Sequence, residues 1–247
     1  MIVIKSKAEI EAIRKAGRIA AGALELVSKN MRAGVETIEL DNIVREHILS
    51  KGAKPSFLGY GGYPASICIS VNNEVIHGIP GKRIIHNGDI VSADVGAFLG
   101  GLHSDCAATY YVGEVSKQAK RLVEATKKSF FEGIKYAKDG YRLGDIGAAV
   151  SAYVESFGFS AVRQYVGHGV GFSLHEDPSV PNYGMKGKGI RLQKGMTLAI
   201  EPMINEGVFE VNILSDGWTV VTADGKLSAH FEHTIAITDG EPDILTL

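Results

Sequence analysis

Four carboxylates recur at matched positions in the two halves of the chain. Asp94 closes the run Gly88-Asp89-Ile90-Val91-Ser92-Ala93-Asp94, and Glu201 closes Gly195-Met196-Thr197-Leu198-Ala199-Ile200-Glu201, 107 positions later. Each run is a Gly turn, an apolar strand and a carboxylate. A second pair follows, because His103-Ser104-Asp105 is similar to His230-Phe231-Glu232. Gly167-His168-Gly169 adds an imidazole, with glycines on both sides that let the backbone pass close to a ligand or another strand. Four carboxylates and a histidine converging in a core repel one another unless cations lie between them. The chemistry such a set supports is that of a two-metal centre. Neutral imidazole is the commonest nitrogen donor to transition metals, so one His among carboxylates favours Mn²⁺, Fe²⁺, Co²⁺ or Zn²⁺ over Ca²⁺.

The first carboxylate pair has a geometry that the sequence constrains. Residues 89–98 and 102–112 read as two strands around Leu99-Gly100-Gly101. With the turn centred between Leu99 and Gly100, Asp94 and Asp105 stand directly opposite each other, their Cβ atoms about 4.5–5.5 Å apart. A turn centred on Gly100-Gly101 shifts the register by two residues and removes that direct pairing.

The elements that position these residues also repeat. Ser6-Lys7-Ala8-Glu9 is a capping box opening an amphipathic helix that runs to about Asn30. Ala33-Gly34 breaks it, and Thr37 starts a second helix ending near Gly52. A helix from about Ser116 to Ala137, a break at Asp139-Gly140 and a helix from Leu143 to Gly158 repeat the pattern. Helix–Gly–helix followed by strands, twice over, predicts an α+β fold with helices packed outside a curved antiparallel sheet. We expect one catalytic domain over residues 1–247, built from halves of about 1–112 and 113–247 with the metals at their junction.

Composition fits a soluble enzyme. The chain has 247 residues, 45% of them hydrophobic, and a net charge of −2 without a block of basic residues, which argues against nucleic acid as a partner. No apolar run approaches membrane-spanning length, and the polar helix start after Met1–Ile4 leaves no signal peptide. Cys68 and Cys106 form no disulfide framework and suit a reducing cytoplasm. They read as packing residues, because no Cys–His arrangement supports a thiol mechanism.

The stretch from Tyr165 to Tyr183, with His168 and His175, and the segment Asn72-Asn73-Glu74-Val75-Ile76-His77-Gly78-Ile79-Pro80 carry a family likeness. There the chain resembles the type I methionine aminopeptidases of the pita-bread metallopeptidase family, and the resemblance covers nearly all of its length. It implies that Asp94, Asp105, His168, Glu201 and Glu232 are the ligands of two divalent ions. Asp94 then chelates one metal, Asp105 and Glu232 bridge both, and His168 and Glu201 complete the other shell. It also implies that His77 and His175 contact substrate, and that Phe57, Tyr60, Tyr63, Cys68, Leu174 and Trp218 lie around the methionine pocket. Phe57 stands where many relatives carry a smaller residue such as cysteine, and Leu174 where some carry phenylalanine.

The expected reaction is release of the N-terminal methionine from nascent polypeptides with a free amine, preferentially before a small second residue. Two divalent ions roughly 3.5–4 Å apart lower the pKa of a shared water toward about 7, giving a hydroxide that attacks the first peptide bond. Glu201 is the expected proton shuttle, and His175 hydrogen-bonds the developing oxyanion. X-Pro aminopeptidases and dipeptidases share the metal set but usually carry a large N-terminal domain. Type II methionine aminopeptidases carry a helical insertion, for which the 31 positions from Glu201 to Glu232 are too few. A non-catalytic protein on this scaffold should have lost ligands, and an iron oxygenase using His168, His175 and one carboxylate leaves three carboxylates unexplained. Nothing in the chain demands more than a monomer. Ribosome association stays open, although the expected Asn205–Gly217 hairpin carries Glu206, Glu210 and Asp216 and no Lys or Arg.

Overall fold

Ser6 caps the first helix as its spacing predicts. Its hydroxyl accepts from the Glu9 N–H, and the Glu9 carboxylate accepts from the Ser6 N–H. The computed structural model describes all 247 residues. The first half contains α1 (Lys7–Asn30), α2 (Thr37–Ser50), β1 (Lys54–Pro55), β2 (Cys68–Val71), β3 (Glu74–Ile76), β4 (Ile90–Leu99) and β5 (Leu102–Tyr111). The second contains α3 (Lys117–Ile134), α4 (Leu143–Glu155), β6 (Ser160–Ala161), β7 (Gly167–Gly169), β8 (Glu176–Val180) and β9 (Thr197–Ile200). It continues with β10 (Met203–Asn205), β11 (Val211–Ile213), β12 (Val220–Thr222), β13 (Ser228–His230), β14 (Glu232–Ala236) and β15 (Asp243–Ile244).

The main sheet runs β1-β4-β5-β14-β9-β7-β8, with β2 also on β4 and β15 on β14, and every pairing is antiparallel. The hairpin β4–β5 and the pair β14–β9 meet where β5 joins β14, so the pseudo-two-fold repeat closes at that seam. Strand alternation sorts the two faces. Val91, Ala93, Val95 and Ala97 of β4 share a core with Ala20 and Val27 of α1 and Val44 and Ile48 of α2. Leu198, Ile200 and Ile235 pack likewise with Phe130, Ile134 and Ile146 of the second helix pair. The intervening positions, including all four carboxylates, face away from the helices. This is the pita-bread arrangement.

The turn of the first hairpin corrects the expected register. Leu99 pairs with Leu102, so the turn is centred on Gly100-Gly101, and both glycines have positive φ, 61° and 91°. A two-residue hairpin turn with both central residues left-handed follows the twist of its strands, and Gly-Gly supplies it where Leu99 cannot. Asp94 therefore lies opposite Ala107, and Asp105 opposite Gly96. The two aspartates are diagonal neighbours on one face.

The second half departs from the first in one further respect. Strand β5 passes through Asp105 without a break, whereas β13 ends at His230 and β14 begins at Glu232. Pro202 has no N–H to continue the ladder beyond β9, and its carbonyl accepts from Phe231 N instead. Beyond this break β10 pairs with β13 and β6 in a separate small sheet. The segment 205–217 is not the expected hairpin. That hairpin lies later, where Val211–Ile213 pairs with Val220–Thr222.

The seam between β5 and β14 is short. Glu232–Ala107 and His233–Cys106 pair across it, and a threonine hydroxyl stands at each end. Thr234 accepts from Asp105 N at 2.9 Å and donates to Asp105 O at 2.8 Å. Thr109 accepts from His230 N at 2.9 Å and donates to His230 O at 2.8 Å. Thr234→Val keeps the side-chain shape and leaves both buried backbone groups of Asp105 without partners, at a cost of about 1–3 kcal/mol. Urea unfolding should show the midpoint falling with an unchanged m-value. An unaltered midpoint would mean that the hydroxyl does not hold the seam.

Candidate metal centre

The registers align the acidic residues in rows across the concave face. Cys68, Asp94, Ala107 and Glu232 form one row across β2, β4, β5 and β14. Glu201, one residue past the Ile200–His233 pair, comes abreast of Glu232. The next row holds Gly96, Asp105, Thr234, Ala199 and His168. Small residues between the charged ones leave room for ions and substrate. A Cβ at Gly96 would come within 2.8 Å of the Ser56 Cβ and 2.9 Å of the Phe57 ring, so glycine lets that loop close over the face.

His168 is held by its flanking glycines, as their positions predict. A Cβ at Gly167 would meet Ala199 O at 2.4 Å, and one at Gly169 would meet Asp177 O at 2.2 Å. The His168 Nδ1–H donates to Gly169 O at 2.8 Å, which leaves the Nε2 lone pair for the centre. That nitrogen lies 4.0 Å from Asp105 Oδ2 and 3.6 Å from Glu201 Oε1. Asp105, His168 and Glu232 offer ligand atoms all within 4.8 Å of one another, as do Glu201, His230 and Glu232. Glu232 belongs to both groups. Asp94 stands outside them, a diagonal neighbour of Asp105 on the same face of the hairpin.

Electrostatics agree with the chemistry of the donors. Burial first, and then mutual repulsion, raise Asp94, Glu201 and Glu232 well above the ordinary carboxylate range. Burial pushes Asp105 up to about 7. The only charged partners within ion-pair distance of these acids are histidines, and burial lowers His168 and His230 to about 3. Asp94 Oδ1, Asp105 Oδ1 and Glu232 Oε1 are buried without any hydrogen-bond partner. Unpartnered hard oxygens beside a lone imidazole pair are a fitting donor set for divalent cations.

Above the acids lies a cleft of about 340 Å³ lined by Phe57, Tyr60, Tyr63, Cys68, His77, Leu174, His175 and Trp218, each of them a residue expected from the sequence. Tyr63 packs edge-on to Trp218 at 5.1 Å, and its hydroxyl donates to Gly78 O at 2.9 Å. Cys68 is a buried free thiol pushed up by burial and by Asp94, which suits a wall and not a nucleophile. His77 has φ +59°, an uncommon conformation for a non-glycine residue, and burial lowers its pKa to about 4. Tyr60 has a second part: its hydroxyl meets His175 Nδ1 at 2.7 Å, tying the first half of the chain to the loop before β8.

Sequence reasoning missed five residues here. Ile76, Gln164, Tyr165 and Val166 also line the cleft, with Tyr165 edge-on to His77 at 5.7 Å. More telling is His230, buried beside Glu201 and Glu232. Its signal was present, since alternation places a residue two before Glu232 on the same face.

A curved antiparallel sheet wrapped by two helix pairs, with a buried carboxylate–histidine cluster under a cleft, is the architecture of a metallopeptidase. The sequence matches metallopeptidase family M24 over residues 11–239, and the chain belongs to that family. Within it, the chain is 54% identical to a methionine aminopeptidase of Clostridium perfringens over 247 residues, covering 100% of this chain and 99% of the relative. It is 53% identical to methionine aminopeptidase 1 of Bacillus subtilis over 246 residues, with the same coverage. The crystal structure of methionine aminopeptidase from Thermotoga maritima superposes with a TM-score of 0.98 at 50% identity, covering 100% of this chain and 99% of that one.

The shifted groups set a pH dependence for the metal-free protein. Carboxylates with raised folded pKa values lose stability as pH rises from their unfolded values near 4, while histidines with lowered values gain it up to 6.5. The two sets oppose one another below 6.5. Above it the histidines are neutral in both states, and only the carboxylates count. Thermal unfolding of the chelated protein should show Tm falling between pH 6.5 and 8, with the increment from added Mn²⁺ growing over the same range. A chelated protein that gains stability across that interval would contradict the burial of these acids.

Proposed function

We infer that this chain removes the N-terminal methionine from peptides and nascent proteins, by metal-dependent hydrolysis of the first peptide bond and preferentially before a small second residue. The observation that carries the reading is the unpartnered carboxylate–imidazole cluster at the floor of an apolar cleft. We read residues 1–247 as one catalytic unit, its halves of about 1–112 and 113–247 each contributing acids to the seam. One chain supplies every residue the reaction uses, which suits a monomer acting in the cytoplasm.

Asp94, Asp105, His168, Glu201 and Glu232 would hold two divalent cations, with Co²⁺, Mn²⁺, Fe²⁺ and Zn²⁺ all compatible with this donor set. When bound, such ions lower the pKa of a water toward about 7 and polarise the scissile carbonyl. Glu201 takes the proton of the attacking water and passes it toward the leaving amine. Tyr60 donates its O–H to His175 Nδ1, which places the ring proton on Nε2, free to donate to the tetrahedral oxyanion. His77, fixed by its strained backbone and by Tyr165, contacts the backbone after the methionine. Phe57, Tyr63, Cys68, Leu174 and Trp218 form apolar walls on which an unbranched thioether packs well against aromatic edges. The free α-amine sits beside Asp94, so a blocked N-terminus loses that contact and adds bulk.

Incubation of the metal-supplemented enzyme with matched tripeptides tests the assignment. Mass spectrometry should show methionine released from Met-Ala-Ser, with Ala-Ala-Ser, Ala-Pro-Ala and formyl-Met-Ala-Ser intact. Comparable cleavage of Ala-Pro-Ala would move the chain to X-Pro peptidase chemistry, and equal cleavage of the formylated peptide would end the proposed orientation. His175→Ala should retain its metal content and lose roughly a hundred- to a thousandfold in kcat, the usual effect of removing one oxyanion donor. Metal loss in that variant, measured by elemental analysis, would make His175 a ligand instead.

A further inference from the structure

His230 is a buried imidazole, 1% exposed, that the reaction as derived above does not use. Its backbone is pinned by Thr109 through two hydrogen bonds, so the ring is aimed into the centre by a fixed strand. Nε2 lies 3.8 Å from Glu201 Oε2 and 3.7 Å from Glu232 Oε2, and neither ring nitrogen has a hydrogen-bond partner. Glu201 thus presents one oxygen to each histidine, Oε1 to His168 and Oε2 to His230.

The two imidazoles differ in what stands behind them. His168 gives its Nδ1–H to Gly169 O and is left with a lone pair toward the acids, the arrangement of a ligand. His230 Nδ1 faces no acceptor. A proton there would be a buried, orphaned N–H, which is costlier than an under-used lone pair. The proton therefore belongs on Nε2, the nitrogen that faces two carboxylates. An Nε2 carrying a proton donates a hydrogen bond and does not bind a metal.

We propose that His230 is a positioning residue, a hydrogen-bond donor that clamps Oε2 of Glu201 and steadies Glu232, so that Glu201 keeps Oε1 on the metal side while it moves a proton. The inference rests on the metallopeptidase reading and deepens it. At 3.7–3.8 Å the contacts are longer than hydrogen bonds, and catalytic contacts of this kind tighten when the site is loaded.

The test uses the Mn²⁺-loaded full chain, with wild type, His230→Leu and His230→Gln compared. Gln restores a neutral N–H donor of similar reach, and Leu does not. Pulsed EPR should detect one directly coordinated imidazole nitrogen in all three proteins, and elemental analysis should give the same Mn²⁺ content. Against Met-Ala-Ser, His230→Leu should lose about 10–100-fold in kcat with KM little changed, and His230→Gln should recover most of it. Two coordinated imidazoles in wild type, or loss of coordinated nitrogen or Mn²⁺ in His230→Leu, would overturn the proposal by making His230 a ligand. Full kcat in His230→Leu would overturn it by making the ring mere packing. Should His230→Leu fail to fold, the wild-type nitrogen count decides ligation, and His230→Asn, whose shorter amide falls short of Glu201, takes its place in the kinetics. If wild type releases no methionine, the functional reading itself fails, while the nitrogen count still reports on His230.

Discussion

Four carboxylates crowded together without a single Lys or Arg among them are the constraint on which the rest of the structure depends. Two like charges 4 Å apart repel by about 4 kcal/mol even at an effective dielectric constant of 20. Such a set is tolerable only if protons or cations occupy it, and near neutral pH the two compete. Much of the local sequence is shaped by that need. Ala107 and Ala199 keep the rows between the acids open, Gly96 admits the loop of Ser56 and Phe57, and no basic side chain intrudes to neutralise the acids permanently. The cluster is thereby left dependent on ions drawn from solution.

The histidines around the cluster are distinguished by the partners of their second nitrogens. His168 has a backbone carbonyl behind it, and His175 has the Tyr60 hydroxyl. The carbonyl of the adjacent Gly169 holds the His168 proton on Nδ1, whereas the Tyr60 hydroxyl reaches His175 Nδ1 from a distant part of the chain, and the tautomer fixes whether each ring presents a lone pair or a proton to the site. The same residue type can thus hold an ion in one place and donate to substrate in another. Burial keeps His168, His230 and His77 neutral at physiological pH, so their protonation does not compete with these assignments.

Local rules made much of this legible. The Ser6 capping box located the first helix, and paired glycine-led strands located Asp94 and Glu201, because those signals depend on residues adjacent in sequence. The cleft residues from Phe57 to Trp218 were reached through family likeness, since nothing in their spacing places Tyr63 against Trp218. The hairpin register was misread because Leu99-Gly100-Gly101 admits two turn centres, and only the backbone of a pair of left-handed glycines selects one. His230 was overlooked although alternation places it on the face of Glu232, and what the sequence does not show is the strand break at Phe231, whose N–H donates to the carbonyl of Pro202 nearly thirty residues away. The buried Lys5–Glu176 ion pair, which packs the N-terminal segment against the start of β8, is equally non-local.

The Gly100-Gly101 turn acts as a phase counter for the whole centre. Strand side chains alternate between a face packed by helices and a face open to the cleft, so one residue more or fewer in the turn would rotate β5 by one step relative to β4. Asp105 would then point toward α1 and α2, into the apolar layer now filled by Cys106. An indel at an exposed loop tip ordinarily costs a protein little. Here the length of a surface loop, remote from any reacting atom, decides whether a charge stands in the cleft or in the hydrophobic core.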